Sequence, residues 1–138
     1  MSTLRTWILA ALAVGGVAHC SNLPGIPSLL GDAEPDLVPL PAAGFCQSGG
    51  LLVVTVRNQG GGDANATTTS IRFTRGAPAD VPTPSVAGGR IAMLSPVGIP
   101  QECFAPDCVV QVTVDSRNDI AEADENNNSV EVTCPPPS

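Results

Sequence analysis

Four stretches of this chain alternate apolar and polar side chains with a period of two, and no other feature limits its fold as tightly. In residues 51–58 (LLVVTVRN), Leu52, Val54 and Val56 share one face. In residues 67–74 (TTTSIRFT), Thr69, Ile71 and Phe73 oppose Ser70, Arg72 and Thr74. In residues 109–115 (VVQVTVD), Val110, Val112 and Val114 stand against Gln111, Thr113 and Asp115. In residues 129–134 (SVEVTC), Val130 and Val132 point one way, Glu131 and Thr133 the other. One buried face and one wet face is the pattern of antiparallel sheets. Residues 36–40 and 90–94 read as two weaker strands.

Turn chemistry separates the runs: Gly60-Gly61-Gly62-Asp63, then residues 76–89 with three prolines, then residues 96–106. Gly and Pro number 14 each, which suits many short strands better than helices. Aromatics make up only 3% of the chain, so the core must be aliphatic. The expected fold is all-β, an immunoglobulin-like antiparallel β-sandwich of about seven strands, preceded by an N-terminal signal helix. The glycine triplet at 60–62 lacks a following Lys-Ser and helix, so it reads as a turn needing positive φ and not as a phosphate loop.

The ends of the chain differ from its middle. Arg5 precedes an apolar stretch from Trp7 to Ala18, shorter than the roughly 20 residues that span a bilayer but of signal-peptide length. Residues 1–19 are therefore expected to be a signal peptide. Residues 17–20 (Val-Ala-His-Cys) also look like a bacterial lipobox, apart from His19 in place of a small residue, which makes Cys20 a candidate for lipidation. Residues 20–34, with Pro24, Pro27, Gly25 and Gly31, read as a flexible linker. The sandwich is expected over residues 35–134, and residues 135–138 form a Pro-rich tail that cannot extend a ladder.

Beyond Cys20, four cysteines remain: Cys46, Cys103, Cys108 and Cys134. An even number in a short exported domain suggests disulfides, and the spacings for zinc are absent. In an immunoglobulin-like topology the second and sixth strands begin where the last strand ends, so all four should gather at one pole. Three pairings satisfy that clustering. The expected one joins Cys103 to Cys108 as a local staple and Cys46 to Cys134 as a long closure.

Several segments together resemble the CARDB family, a cell-adhesion-related domain of bacterial exported proteins. They are Pro35-Asp36-Leu37-Val38, Val56-Arg57-Asn58-Gln59-Gly60, Thr83-Pro84 running to Gly89, Val112-Thr113-Val114-Asp115, and residues 120–128 (IAEADENNN). The resemblance spans about residues 35–134. Its most specific piece is the last, where Asp124 replaces a common Asn. It implies a seven-stranded sandwich and a role in adhesion or scaffolding at the cell surface.

The residue inventory argues against an enzyme. The single histidine is His19, and there is no lysine, so a Ser, Thr or Cys nucleophile lacks an ordinary base in the folded part. Tyr is absent and Trp7 lies in the leader, which leaves little stacking surface for a sugar. A formal net charge of −7 removes the basic footprint of a nucleic-acid binder. Membrane contact is expected only through a lipid on Cys20.

The acids concentrate between strands, at Asp115, Asp119, Glu122, Asp124 and Glu125, with Asn126, Asn127 and Asn128 following. Such oxygen-rich loops are candidate calcium sites. EF-hand spacing is not met, and the competing expectation is a solvated hairpin whose Asn side chains bond the backbone while Ile120 folds back as an apolar plug. No other cofactor is expected. The functional expectation is a non-catalytic exported surface module for adhesion, scaffolding or binding of an unidentified protein or envelope macromolecule; the alternative is an exported calcium-binding regulatory or stabilising domain.

Overall fold

The computed structural model describes residues 33–41 and 44–137. The expected signal peptide, Cys20 and nearly all of the linker lie outside the described residues.

Ten short strands form the described chain: β1 (Leu37–Leu40), β2 (Cys46–Gln47), β3 (Leu51–Leu52), β4 (Thr55–Asn58), β5 (Thr67–Phe73), β6 (Ala79–Thr83), β7 (Ile91–Met93), β8 (Val97–Gly98), β9 (Cys108–Thr113) and β10 (Ser129–Cys134). Every pairing is antiparallel. One layer has the order β1-β4-β7 and continues into the small sheet β2-β3-β8; the other has the order β10-β9-β5-β6. The fold is an immunoglobulin-like sandwich.

The alternating runs explain the core. Leu52, Val54 and Val56 from one layer meet Ile71, Val110, Val112 and Val114 from the other, each at most 1% exposed. Val130 and Val132 on β10 are half-buried against the same cluster. Aliphatic side chains of this kind gain roughly 1.5–3 kcal/mol each on full burial.

Two departures from the sequence reading have local causes. The stretch at 76–89, read as turn, contains strand β6 with Pro82 inside it. Pro82 is tolerated because β6 is the outer strand of its layer, where only one side of the backbone must bond. The second concerns the glycine triplet. Gly60 and Gly62 do not adopt positive φ; their backbones pass so close to Ala33 and Glu34 that a Cβ on either would collide with main-chain atoms. Close approach is what demands glycine there.

The run 51–58 is two ladder segments, β3 and β4, joined through Val53 and Val54. Leu52 faces Val97 while Thr55 faces Met93, so three steps on this strand oppose four on its neighbour. The extra residue, at Ser95-Pro96, is a β-bulge that lets β7 run on into β8 without a break in the inward pattern of Leu52, Val54 and Val56.

Candidate functional site

The two ends of the sandwich are built differently. At one pole Cys46, opening β2, is bonded to Cys134, closing β10, with Cα atoms 5.5 Å apart. Cys103, which ends a 3-10 turn at Gln101–Cys103, is bonded to Cys108, which opens β9, Cα atoms 4.8 Å apart. Cys103, Cys108 and Cys134 are buried there beside Phe45 and Ile99. All four cysteines share this pole.

The opposite pole carries the polar residues. Here β4 ends at Asn58, and β1 begins at Leu37, its direct neighbour in register. Asn58 is fully buried, and its amide serves four backbone groups. Oδ1 accepts from the N–H of Asp36 (3.0 Å) and of Gly60 (3.1 Å); Nδ2 donates to the carbonyls of Gly62 (2.7 Å) and Val86 (2.9 Å). One side chain thereby ties the incoming chain, the glycine triplet and the isolated bridge between Ala64 and Val86.

The acidic connection between β9 and β10 covers the same pole. Asp115 was expected on the wet face, following the alternation of β9. Instead it is 4% exposed, because its φ of 45° turns the chain and swings the carboxylate inward. That carboxylate accepts from the Thr67 hydroxyl, from the Asp119 N–H (3.1 Å) and from the Ile120 N–H (3.0 Å). Ile120 is folded back and buried with the core. Asp124 accepts from both nitrogens of Asn126 (2.9 and 3.2 Å), and Asn127 Nδ2 donates to Asp36 Oδ1 (2.8 Å).

Glu122 links this loop to the first strand. It is buried, with Oε2 accepting the Leu37 N–H at 2.8 Å, while its own N–H donates to Glu125 Oε1 at 2.9 Å. With its amide oriented so that donors meet acceptors, Asn128 Nδ2 reaches Leu37 O (3.1 Å) and Glu122 Oε2 (3.2 Å). Glu122 Oε1 is buried with no hydrogen-bond partner. Burial raises the Glu122 carboxyl from 4.5 to about 7; the Leu37 N–H opposes that shift, and the negative charges of Asp115, Glu125 and Asp36 add to it.

A carboxyl whose folded-state pKa lies above its unfolded value stabilises the fold fully below the unfolded value and loses that contribution as pH rises through the folded one. Glu122 therefore makes the domain more stable near pH 5 than near pH 8. Glu122→Gln keeps an acceptor for Leu37 without the charge. Thermal melts across this range should show wild-type stability falling and the Gln variant flat in comparison, with the variant the more stable of the two at pH 8. Parallel pH profiles for the two proteins would contradict that role.

Taken as calcium ligands, the five acids do not converge. Asp119, Asp124 and Glu125 are exposed, and Asp115, Glu122 and Glu125 each spend carboxylate oxygens on main-chain N–H groups. Among the described residues no three His, Cys, Asp or Glu side chains are placed to hold a metal ion. The carboxylates of Asp115, Glu122 and Glu125 act instead as a hydrogen-bonded lock on the main chain.

Sequence reasoning missed Asn58 and the burial of Glu122. Asn58 was within reach: it continues the inward series Leu52, Val54, Val56, and a polar residue at an inward position signals a backbone-binding role. Glu122 had no comparable signal, since nothing in its spacing tells which loop carboxylate turns inward.

Fold and bonding pattern together define an all-β immunoglobulin-like module with one covalently closed pole and one hydrogen-bonded pole. The CARDB family model matches residues 34–132, and the chain belongs to the CARDB family. Two solved structures share the fold. The first is the solution NMR structure of a domain from a candidate cell surface protein of Methanosarcina acetivorans. It has 22% identity and a TM-score of 0.61, covering 74% of this chain and 91% of that one. The second is the crystal structure of a CARDB domain from a Pyrococcus furiosus protein in complex with di-metal ions. It has 19% identity and a TM-score of 0.51, covering 74% and 93%. Comparison with curated proteins finds no match.

Proposed function

We propose that the chain is a non-catalytic module exported to the cell surface, where it spaces or binds other macromolecules of the envelope. The observation that carries this reading is the pair of disulfides in the pole of an immunoglobulin-like CARDB domain. Disulfides of this kind form and persist in oxidising compartments outside the cytosol. The polar side chains at the other pole, which would be the natural place for chemistry, are bonded to the domain's own backbone. A lipid on Cys20 would hold the module at a membrane.

The test is to express the full chain in a bacterial host, trap thiols on intact cells, and compare protease accessibility with intact mass. Export predicts a chain lacking its first 18 or 19 residues, with four cysteines blocked as disulfides and the domain outside the cytosol. A cytosolic, reduced chain that retains Met1 would overturn it.

A calcium-binding role is the second reading, supported by the metal ions in the Pyrococcus furiosus structure and by the density of acids in the β9–β10 connection. Stabilisation by a bound ion grows as RT ln(1 + [L]/Kd), so a useful site must show in a melt. Millimolar calcium is expected to move the melting temperature by less than about 1 °C, since Asp115 spends both carboxylate oxygens on donors of the fold and Asp119, Asp124 and Glu125 are exposed rather than gathered round one point. A rise of several degrees, abolished in the double variant Glu122→Gln with Glu125→Gln, would establish the ion-binding role instead.

A further inference from the structure

Two of the four strands at the layer edges, β6 and β7, are treated differently. β6 carries Asp80 and Pro82, the charge and the missing donor by which natural sheets discourage unwanted pairing. β7 is Ile91-Ala92-Met93, without charge or proline, and its two large side chains are 64% and 73% exposed.

The ladder register shows where the β7 backbone points. The Asn58 N–H donates to Arg90 O (2.9 Å), and the Leu94 N–H donates to Val54 O (2.8 Å). In an antiparallel ladder, hydrogen-bonded and non-bonded pairs alternate. Val56–Ala92 is then the bonded pair between these two, and Arg57–Ile91 and Thr55–Met93 are non-bonded. The N–H and C=O of Ile91 and of Met93 therefore face away from β4, and among the described residues no other strand lies against them.

We infer that β7 is a self-association edge: two copies of this chain pair β7 with β7 antiparallel about a two-fold axis at Ala92. The register suits a second copy of the same strand. A dyad at Ala92 sets Ile91 opposite Met93 of the second copy, and Met93 opposite its Ile91. Those are the residues whose backbone groups face outward, so the pairing closes four N–H···O=C bonds and leaves none of the four donors unmet. The close, non-bonded position falls on the axis, where Cα atoms approach to about 4.5 Å; the residue there is alanine, the side chain small enough to meet its own copy. On the outer face Ile91 and Met93 cover each other across the axis.

Charge agrees with this arrangement. No acid occurs between Val86 and Gln101. Arg57 sits in the Ile91 row, whereas the second copy's Arg57 lies in the Met93 row, so the two guanidinium groups are never opposed. The acids responsible for the net charge of −7 concentrate in the β9–β10 connection, away from the axis. The dyad joins two three-stranded layers into one sheet of six. With two large apolar side chains per copy, the contact is smaller than the roughly 1,200 Å² of a stable interface, so the dimer is a weak one that forms at high local concentration. This inference does not depend on where the chain is exported.

Sedimentation equilibrium of the full oxidised chain, from about 10 μM to about 1 mM, should show a reversible monomer–dimer equilibrium. The double variant Ile91→Lys with Met93→Lys, both at exposed positions, should weaken it on the order of tenfold or more while keeping the wild-type melting temperature. Register is read separately by oxidative cross-linking: Ile91→Cys mixed with Met93→Cys should link faster than either alone, and Ala92→Cys should link to itself. A chain that stays monomeric throughout, a dimer that survives the lysine variant, or cross-linking without preference for the mixed pair would overturn the assignment. Any of these would leave the edge to an extended segment of another protein or to solvent.

Discussion

Replacing Cys46 and Cys134 by serine should cost the domain about 4–5 kcal/mol, a large share of the roughly 5–15 kcal/mol an ordinary domain possesses. The bridge closes a sequence separation of 88 residues, and the entropy removed from the unfolded chain grows with the logarithm of that length. The Cys103–Cys108 bridge closes a separation of 5 and should contribute about 2 kcal/mol on the same reasoning. Urea unfolding of the two double-serine variants, monitored by far-ultraviolet circular dichroism, gives the comparison directly. Equal losses from the two bridges would mean that native packing around Cys103 and Cys134, and not loop closure, sets their worth.

Asn58→Ala should produce the other large loss, about 3–5 kcal/mol, because four backbone groups, one buried and three part-buried, lose their partner at once and each unmet buried group costs about 1–3 kcal/mol before relaxation. Asn58→Asp should be worse at neutral pH. It keeps the two acceptor bonds to Asp36 and Gly60 but places a charged oxygen against the carbonyls of Gly62 and Val86. Gln59→Ala, one residue further and exposed, serves as the control and should change stability by no more than about 0.5 kcal/mol. A small effect at Asn58 would show that water replaces its amide, contrary to its complete burial.

Those two predictions concern residues of very different legibility. The cysteines could be placed from the strand pattern alone, because strand direction fixes which ends share a pole. Their pairing needed a choice among three, and the structure joins Cys46 to Cys134 and Cys103 to Cys108. The inward faces of β4, β5 and β9 were legible for the same reason: period two leaves no freedom once one residue is assigned. β6 was not, since Pro82 argues against a strand unless one already knows that the strand lies at an edge. Asp115 was misjudged because alternation stops where φ turns positive, and a single residue at a strand end gives no warning of it. Which loop acids bond the main chain was not legible either, because composition records how many oxygens a loop has but not how many main-chain N–H groups they serve.

The long disulfide also decides how the module would carry a pulling force. The chain enters at Leu37, at the hydrogen-bonded pole, and leaves at Cys134, at the covalent one. Tension applied to the two ends runs along β1 to Cys46, crosses the sulfur bridge, and exits at Cys134. The 88-residue span between them is bypassed covalently: β3 to β10 cannot be pulled out of the bridge, and only the dozen or so domain residues before Cys46 can be drawn out, by unzipping β1 from β4. Their release requires peeling Leu37 from Glu122 and Asp36 from Asn58. An oxidised module in a strained envelope would yield by a few tens of ångströms, at about 3.3–3.6 Å per extended residue, and then hold as a nearly inextensible link, whereas the reduced form would unravel along its whole length.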